Sequence, residues 1–313
     1  MRPLRRRGVA QALQVQRADE GPQEDRGGGG PRDLMARVQP TRPRRAKTRP
    51  SPLFQQMTIV GVGLIGGSLG MTCKQQGLVK TIVGAGRRVK NLKRAVELKA
   101  IDRYVTDLAE AAAGSDLLVL ATPVDTFEAV LRTCAPRLAP GAIVTDVGSV
   151  KGPLVERMEA LAPAGIRVVG MHPIAGKEKT GVEAASPDLF RDALCILTPT
   201  SQTDPDALAK VRRLWEACGA RIREMDPMLH DGVLGAVSHL PHVLAFAIVN
   251  TIATFQERFI PDLDLQAFAG GGYKDTTRIA ASSPEIKAIL KAGDGEGLVR
   301  EFTLAKQRRE KIT

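Results

Sequence analysis

Two sets of residues in this chain are of types that do chemistry. The first is its four histidines, His172, His230, His239 and His242. Imidazole gains and loses a proton near neutral pH, so a histidine at a ligand site is a candidate general base. His172 opens the run His-Pro-Ile-Ala-Gly-Lys-Glu178, read as a loop directly after a strand. His239 and His242 lie three apart, on one side of a helix or across a kink at Pro241. There is no H-E-x-x-H and no third ligand at fixed spacing, so no metal site is expected. The second set is Gly61-Val62-Gly63-Leu64-Ile65-Gly66, between the apolar run from Met57 and a helix that begins near Ser68. A strand feeding a helix through G-x-G-x-x-G is a dinucleotide-binding turn. Gly61 permits the bend, Gly63 lets backbone N–H groups approach a pyrophosphate, and Gly66 lets the helix sit close to the sheet.

In an open parallel sheet, ligands bind beyond the carboxyl ends of the strands. The residues that follow each strand therefore outline the site: Gly86, Arg87 and Arg88 after the strand at 79–84, Thr122 and Pro123 after that at 116–121, Gly148, Ser149 and Lys151 after that at 142–146, and His172 after that at 167–170. A carboxylate about 20 residues past the glycines usually marks NAD, because it bonds the ribose 2′-hydroxyl. Here that place is held by Gly86, with Arg87 and Arg88 next. A bare position beside two guanidinium groups suits a 2′-phosphate, so the reading leans to NADP with NAD open. Further on, Lys274 and Arg278 are four apart in Gly270-Gly-Gly-Tyr-Lys-Asp-Thr-Thr-Arg-Ile279, and on a helix both point the same way. Such a pair can clamp a dicarboxylate.

The elements needed to hold these residues follow from hydrophobic periodicity. Strands are expected at 57–60, 79–84, 116–121, 142–146, 167–170, 194–198 and 220–225, with helices between most of them. Asp116-Leu-Leu-Val-Leu-Ala121 is a continuous apolar run, as a strand buried on both faces requires. Alternating strands and helices at short spacing predict a doubly wound parallel α/β sheet of Rossmann type over 53–226. From 227 to 313 the pattern is helical. Met228–Phe255 is apolar nearly all round, which predicts burial on most sides, partly against a partner chain, with Pro241 breaking or kinking it.

The net charge of +11 suggests nucleic acid until it is located: residues 1–56 hold +8 of it, leaving +3 for the rest. Residues 1–52 are rich in Gly, Pro and Arg without apolar periodicity and read as a disordered extension. An upstream extension of the reading frame fits them better than a targeting segment or a nucleic-acid arm, because serine is scarce and no aromatic residue is interleaved. No nucleic-acid partner is expected. No apolar run of about 18 residues escapes a polar or charged break, so no membrane span is expected either. Cys73, Cys134, Cys195 and Cys218 form no C-x-x-C and read as reduced thiols of a cytoplasmic protein.

Five segments carry a resemblance: GVGLIGGS, DVGSVKG, MHPIAGKEKTG, MDPMLHDGVLGAVSHLPH and GGYKDTTRIAASSP. Together, over roughly 54–285, they resemble the prephenate/arogenate dehydrogenase family of tyrosine biosynthesis. The resemblance implies a Rossmann domain followed by an all-helical dimerisation domain, hence a homodimer. It also implies oxidative decarboxylation of a cyclohexadienyl acid with NAD or NADP. By matching motif, His172 would take the proton of the ring 4-hydroxyl and Ser149 would help hold that hydroxyl. Arg278 would bind the ring carboxylate with Lys274 nearby, His239 and His242 would line the substrate end, and Glu178 would gate the pocket. Gly61, Gly63, Leu64, Ile65, Gly66, Arg87, Arg88, Thr122 and Pro123 would hold the cofactor. Beyond Ser283-Pro-Glu-Ile286 the helical domain departs from the family pattern and reads as shortened, and no regulatory module is expected. The rival within enzymes is another β-hydroxyacid dehydrogenase with a catalytic lysine in its helical domain.

Overall fold

The computed structural model describes residues 51–177 and 179–281. Glu178, nearly all of the basic extension and the stretch read as a shortened end of the helical domain lie outside the described residues.

The sheet domain starts with β1 (Phe54–Val60), α1 (Leu64–Gln76), β2 (Val79–Ala85), α2 (Val89–Glu97), β3 (Arg103–Val105), α3 (Leu108–Ala112) and β4 (Leu117–Leu120). It continues with α4 (Phe127–Cys134), β5 (Ile143–Asp146), α5 (Gly152–Leu161) and β6 (Arg167–Val169). These six strands make one parallel sheet in the order β3-β2-β1-β4-β5-β6. The order reverses between β1 and β4, and that reversal is where a doubly wound sheet opens a crevice.

Both faces of this sheet are covered, and the period of two sorts its side chains. Met57, Ile59, Leu117 and Val119 enter one core, and Val60, Leu118 and Leu120 enter the other. That is why β4 is apolar throughout: all four of its residues are buried.

The remaining strands differ from expectation. β7 (Met171–Ile174), β8 (Leu194–Leu197) and β9 (Arg221–Glu224) form a separate three-stranded sheet, with β7 antiparallel to β8. His172, expected in a loop, is inside β7 and pairs with Ile196. Pro173 concealed the strand in the sequence, since proline cannot donate to a ladder; at an edge strand only one side needs partners. α6 (Pro205–Ala217) buries Trp215 against Phe190, edge to face at 4.9 Å.

The helical part comprises α7 (Pro227–Leu234), a π-helical turn (Gly235–His239), α8 (Leu240–Phe259) and α9 (Gly271–Arg278). Pro241 neither ends the helix nor interrupts it, and one helical run continues over Pro227–Phe259. A proline ring collides with the carbonyl four residues back; the wider turn just before it provides the room. The expected burial fails within one chain. Ala245, Phe246 and Val249 are buried in α8, but Met228, Leu229, Val237, Leu240, Leu244 and Phe255 are exposed. Only 22% of the most apolar stretch is buried, and at a mean hydropathy of 1.7 the run is long and apolar enough to cross a membrane by length and composition. The scattered serine, histidines and asparagine that broke it to the eye do not lower the average enough.

Candidate active site

The glycine turn sits at the reversal of strand order. Gly61 has φ +99°, and a Cβ there would run into the Ala121 carbonyl and the Thr122 N–H at the end of β4. Glycine thus lets the ends of β1 and β4 close on each other. A Cβ on Gly66 would overlap the Gly61 carbonyl, so α1 rests directly on the turn. Gly63 is the N-cap of α1, and a Cβ built on it meets nothing within 4 Å. The first N–H groups of α1, from Leu64 onward, have no helical partners and face this open space, as a pyrophosphate cradle requires. Asn91, from α2, props the turn by donating to the Val62 carbonyl at 2.7 Å.

The flanking strand ends are in place. Thr126 donates its hydroxyl proton to the Pro123 carbonyl at 2.7 Å, so the 2.7 Å contact between the two threonine hydroxyls is a donation from Thr122. Arg87 and Arg88 follow β2, both exposed, with Arg88 at the N-cap of α2.

The end of β5 carries a second constellation. Asp146 and Lys151 are fully buried and ion-paired. Asp146 also accepts the Gly148 N–H at 2.7 Å and the Met171 N–H at 3.3 Å, which ties the β5–α5 turn to the residue before His172. Burial raises the Asp146 carboxyl above its ordinary range, and Lys151 and the two N–H groups offset this only in part. Ser149 is nearly buried on the same turn.

His172 is half-buried. Its Nδ1 lies 3.0 Å from Nε2 of His230, a fully buried ring on α7, and Nδ1 of His230 lies 2.8 Å from Oδ1 of Asp231. Asp231 also accepts the N–H groups of Lys151 at 2.7 Å and Gly152 at 2.8 Å, capping α5. α7 can approach this closely because residue 152 has no side chain: a Cβ there would meet the Met228 sulfur and the Asp231 carboxylate. Burial holds the His172 pKa well below 6.5, and the charge of Lys151, with those that His230 and His239 carry when protonated, pushes the same way. Burial works to raise Asp231, but the His230 ring and the two N–H groups outweigh it and hold the carboxyl low.

His239 ends the π turn, and burial lowers its pKa as well. His242 donates Nδ1–H to the Ser238 carbonyl at 2.8 Å. Lys274 and Arg278 are exposed on α9, one turn apart. The structure therefore gathers His172, Ser149, Lys151 and His239 around the ends of β5 and β7, and leaves the cation pair on an outer helix. Asp146, His230 and Asp231 had no role in the sequence reading. The signal for the last two was the order of residues in Asp226-Pro-Met-Leu-His-Asp231. Asp226 caps α7 through Met228 and Leu229, which sets a His-Asp pair in its opening turns.

A glycine turn at the reversal of a parallel sheet marks a dinucleotide-binding α/β protein, and the His172 imidazole is its candidate proton acceptor. Comparison with known proteins narrows the class. Residues 69–224 match the nucleotide-binding domain of prephenate dehydrogenase, and residues 226–302 match its dimerisation domain. The chain is 32% identical over 279 residues to the prephenate dehydrogenase of Bacillus subtilis, covering 80% of this chain and 74% of that one. The prephenate dehydrogenase of Aquifex aeolicus, solved with hydroxyphenyl propionate and NAD+, superposes with a TM-score of 0.69 at 36% identity, over 83% of this chain and 98% of that one. An arogenate dehydrogenase from Synechocystis superposes at 0.63 with 31% identity, over 82% and 90%. The chain belongs to the prephenate dehydrogenase family.

Proposed function

We propose that the protein oxidatively decarboxylates prephenate to 4-hydroxyphenylpyruvate, with His172 as the base. The observation that carries this is the His172 imidazole, its pKa held low by its surroundings, on β7, a strand of the second sheet that packs against β5. Gly61, Gly63, Leu64, Ile65 and Gly66 would hold the cofactor's pyrophosphate, flanked by Thr122 and Pro123. The nicotinamide, when bound, supplies the acceptor for the hydride leaving the carbinol carbon. His172 takes the hydroxyl proton as that carbon becomes a carbonyl, with Ser149 steadying the hydroxyl. The ring carboxylate then leaves as carbon dioxide, the ring becomes aromatic, and the proton returns to the new phenolic oxygen. Lys274 and Arg278 would orient that carboxylate, and His239 and His242 the far end of the ring. A clamp that held the carboxylate equally well throughout would not speed its loss, so the pair serves binding first.

Arogenate is the second reading, supported by the likeness to the Synechocystis enzyme. For the cofactor, Gly86 with Arg87 and Arg88 favours NADP over NAD, although the Aquifex enzyme was solved with NAD+. The exposed apolar face of Pro227–Phe259 fits a homodimer through the matched dimerisation domain. Four free, buried cysteines fit a cytoplasmic location. The test is steady-state formation of reduced nicotinamide from prephenate and from arogenate, with each cofactor. His172→Asn should lower kcat by about 10²–10⁴-fold. Near-normal turnover of the variant, or none by the unaltered protein on either acid, overturns the reading.

A further inference from the structure

The proton of a neutral His172 can sit on either ring nitrogen, and its neighbours select which. Asp231 is ionised and can only accept, so the 2.8 Å contact requires His230 to carry its proton on Nδ1. In the arrangement proposed below that is its one proton, and Nε2 of His230 offers a lone pair. That lone pair faces Nδ1 of His172 at 3.0 Å, so the His172 proton must be on Nδ1. The remaining nitrogen, Nε2 of His172, is left with its lone pair exposed. An imidazole without such partners favours the other tautomer, with its proton on Nε2 and nothing there to accept a second.

We propose that His230 and Asp231 are the positioning residues of this site: the line Asp231–His230–His172 fixes the tautomer of the base and points a free Nε2 at the substrate hydroxyl. The proposal rests on the assignment of His172 as the base. His230 is fully buried on α7, and Asp231 is held rigid by two backbone N–H groups at the start of α5. The line crosses from the sheet domain to the first helix of the helical part, so it also ties the orientation of the base to the packing of α7 on α5. The logic is that of a carboxylate behind a catalytic histidine, with a second imidazole interposed to span the gap.

The test is ¹⁵N NMR of the histidine rings in the full chain, on the side of pH 6.5 where imidazole is neutral, alongside turnover of prephenate. In the unaltered protein, His172 and His230 should both show protonated Nδ1 and pyridine-like Nε2. A protonated Nε2 on His172 overturns the proposal whatever the activity. His230→Phe should shift His172 toward the Nε2–H form and lower kcat by about 10–100-fold, with KM within about threefold. His230→Gln, whose amide can donate toward Asp231 and accept from His172, should keep the original tautomer and recover much of the loss. Equal loss in both variants, or full activity in the phenylalanine variant, also overturns it. If His230→Phe does not fold, the spectra of the unaltered protein and the glutamine variant decide the matter. A correct tautomer in a protein without prephenate turnover would instead refute the functional reading and leave the line itself standing.

Discussion

The two ends of the proposed substrate site are built in opposite ways. At the imidazole end, Asp146, Lys151 and His230 are fully buried, and each has a polar partner at hydrogen-bond distance. At the cationic end, the side chains of Lys274 and Arg278 are largely exposed on an eight-residue helix. The difference follows the work each must do. A proton acceptor must hold one tautomer and one pKa before the substrate arrives, which demands fixed neighbours and little water. A carboxylate clamp need only be charged and within reach, and a solvated cation meets that at no desolvation cost until the ligand binds. Substitutions at the first end should therefore damage the fold as well as the rate, and those at the second should damage binding alone.

The largest departure should come from Lys151→Met, which leaves Asp146 buried without its cation. Breaking such a pair costs about 3–5 kcal/mol, and it should appear as a large drop in thermal or urea midpoint. Replacing both partners, Lys151→Met with Asp146→Asn, should restore much of it. If the single and double variants are equally destabilised, the pair is not what holds the β5–α5 turn. Arg278→Ala should show the reverse profile. Loss of a charge-assisted contact of about 1.5–3 kcal/mol raises KM by roughly 10–150-fold, with the unfolding midpoint moved far less than in Lys151→Met. A destabilised Arg278→Ala protein would mean that the cationic end is structural too.

The pH profile sharpens the same contrast. Burial holds the His172 pKa below 6.5, so its base form persists in the folded protein at pH values where an ordinary imidazole is protonated. The acid limb of kcat/KM should thus fall below pH 6.5, and a limb at or above 6.5 contradicts the assignment. The linkage has a definite sign. As the pH drops below about 6.5, the unfolded chain takes up a proton that the native imidazole refuses until its own, lower pKa. The contribution to stability is therefore present above 6.5 and lost as the pH falls toward the native value. Lys151→Met, by removing a neighbouring positive charge, should move the limb back up.

Local patterns carried the sheet domain well. The glycine turn and the all-apolar β4 follow from turn chemistry and two-sided burial within short segments, but β3 escaped the reading and the strand order was not legible, since β1 pairs with β4 about 60 residues on. What the sequence withheld depends on distant partners. β7 was concealed because Pro173 looks like a strand breaker until the edge it occupies is known. The burial of Asp146 and Lys151, and the meeting of His172 with His230 across 58 residues, exist only once α7 is packed on α5. The apolar run Met228–Phe255 read as buried because periodicity reports how much surface wants covering, and not whether the same chain covers it.

The smallest effect expected is at the rim of the crevice, where the comparison is between two cofactors. Arg87 is exposed after β2, and the position where a ribose-binding carboxylate would stand is Gly86. A guanidinium there can pair with a 2′-phosphate but has nothing ionic to offer a 2′-hydroxyl. Because the pair would form in solvent, screening limits it, and Arg87→Ala should raise KM for NADP by about tenfold while leaving NAD within about twofold. Raising ionic strength should raise KM for NADP in the unaltered protein and leave the variant nearly indifferent. An equal rise for both cofactors would assign Arg87 to the shared part of the dinucleotide. No change for either would make it a solvated residue at the start of α2, and would leave the bare Gly86 compatible with NAD.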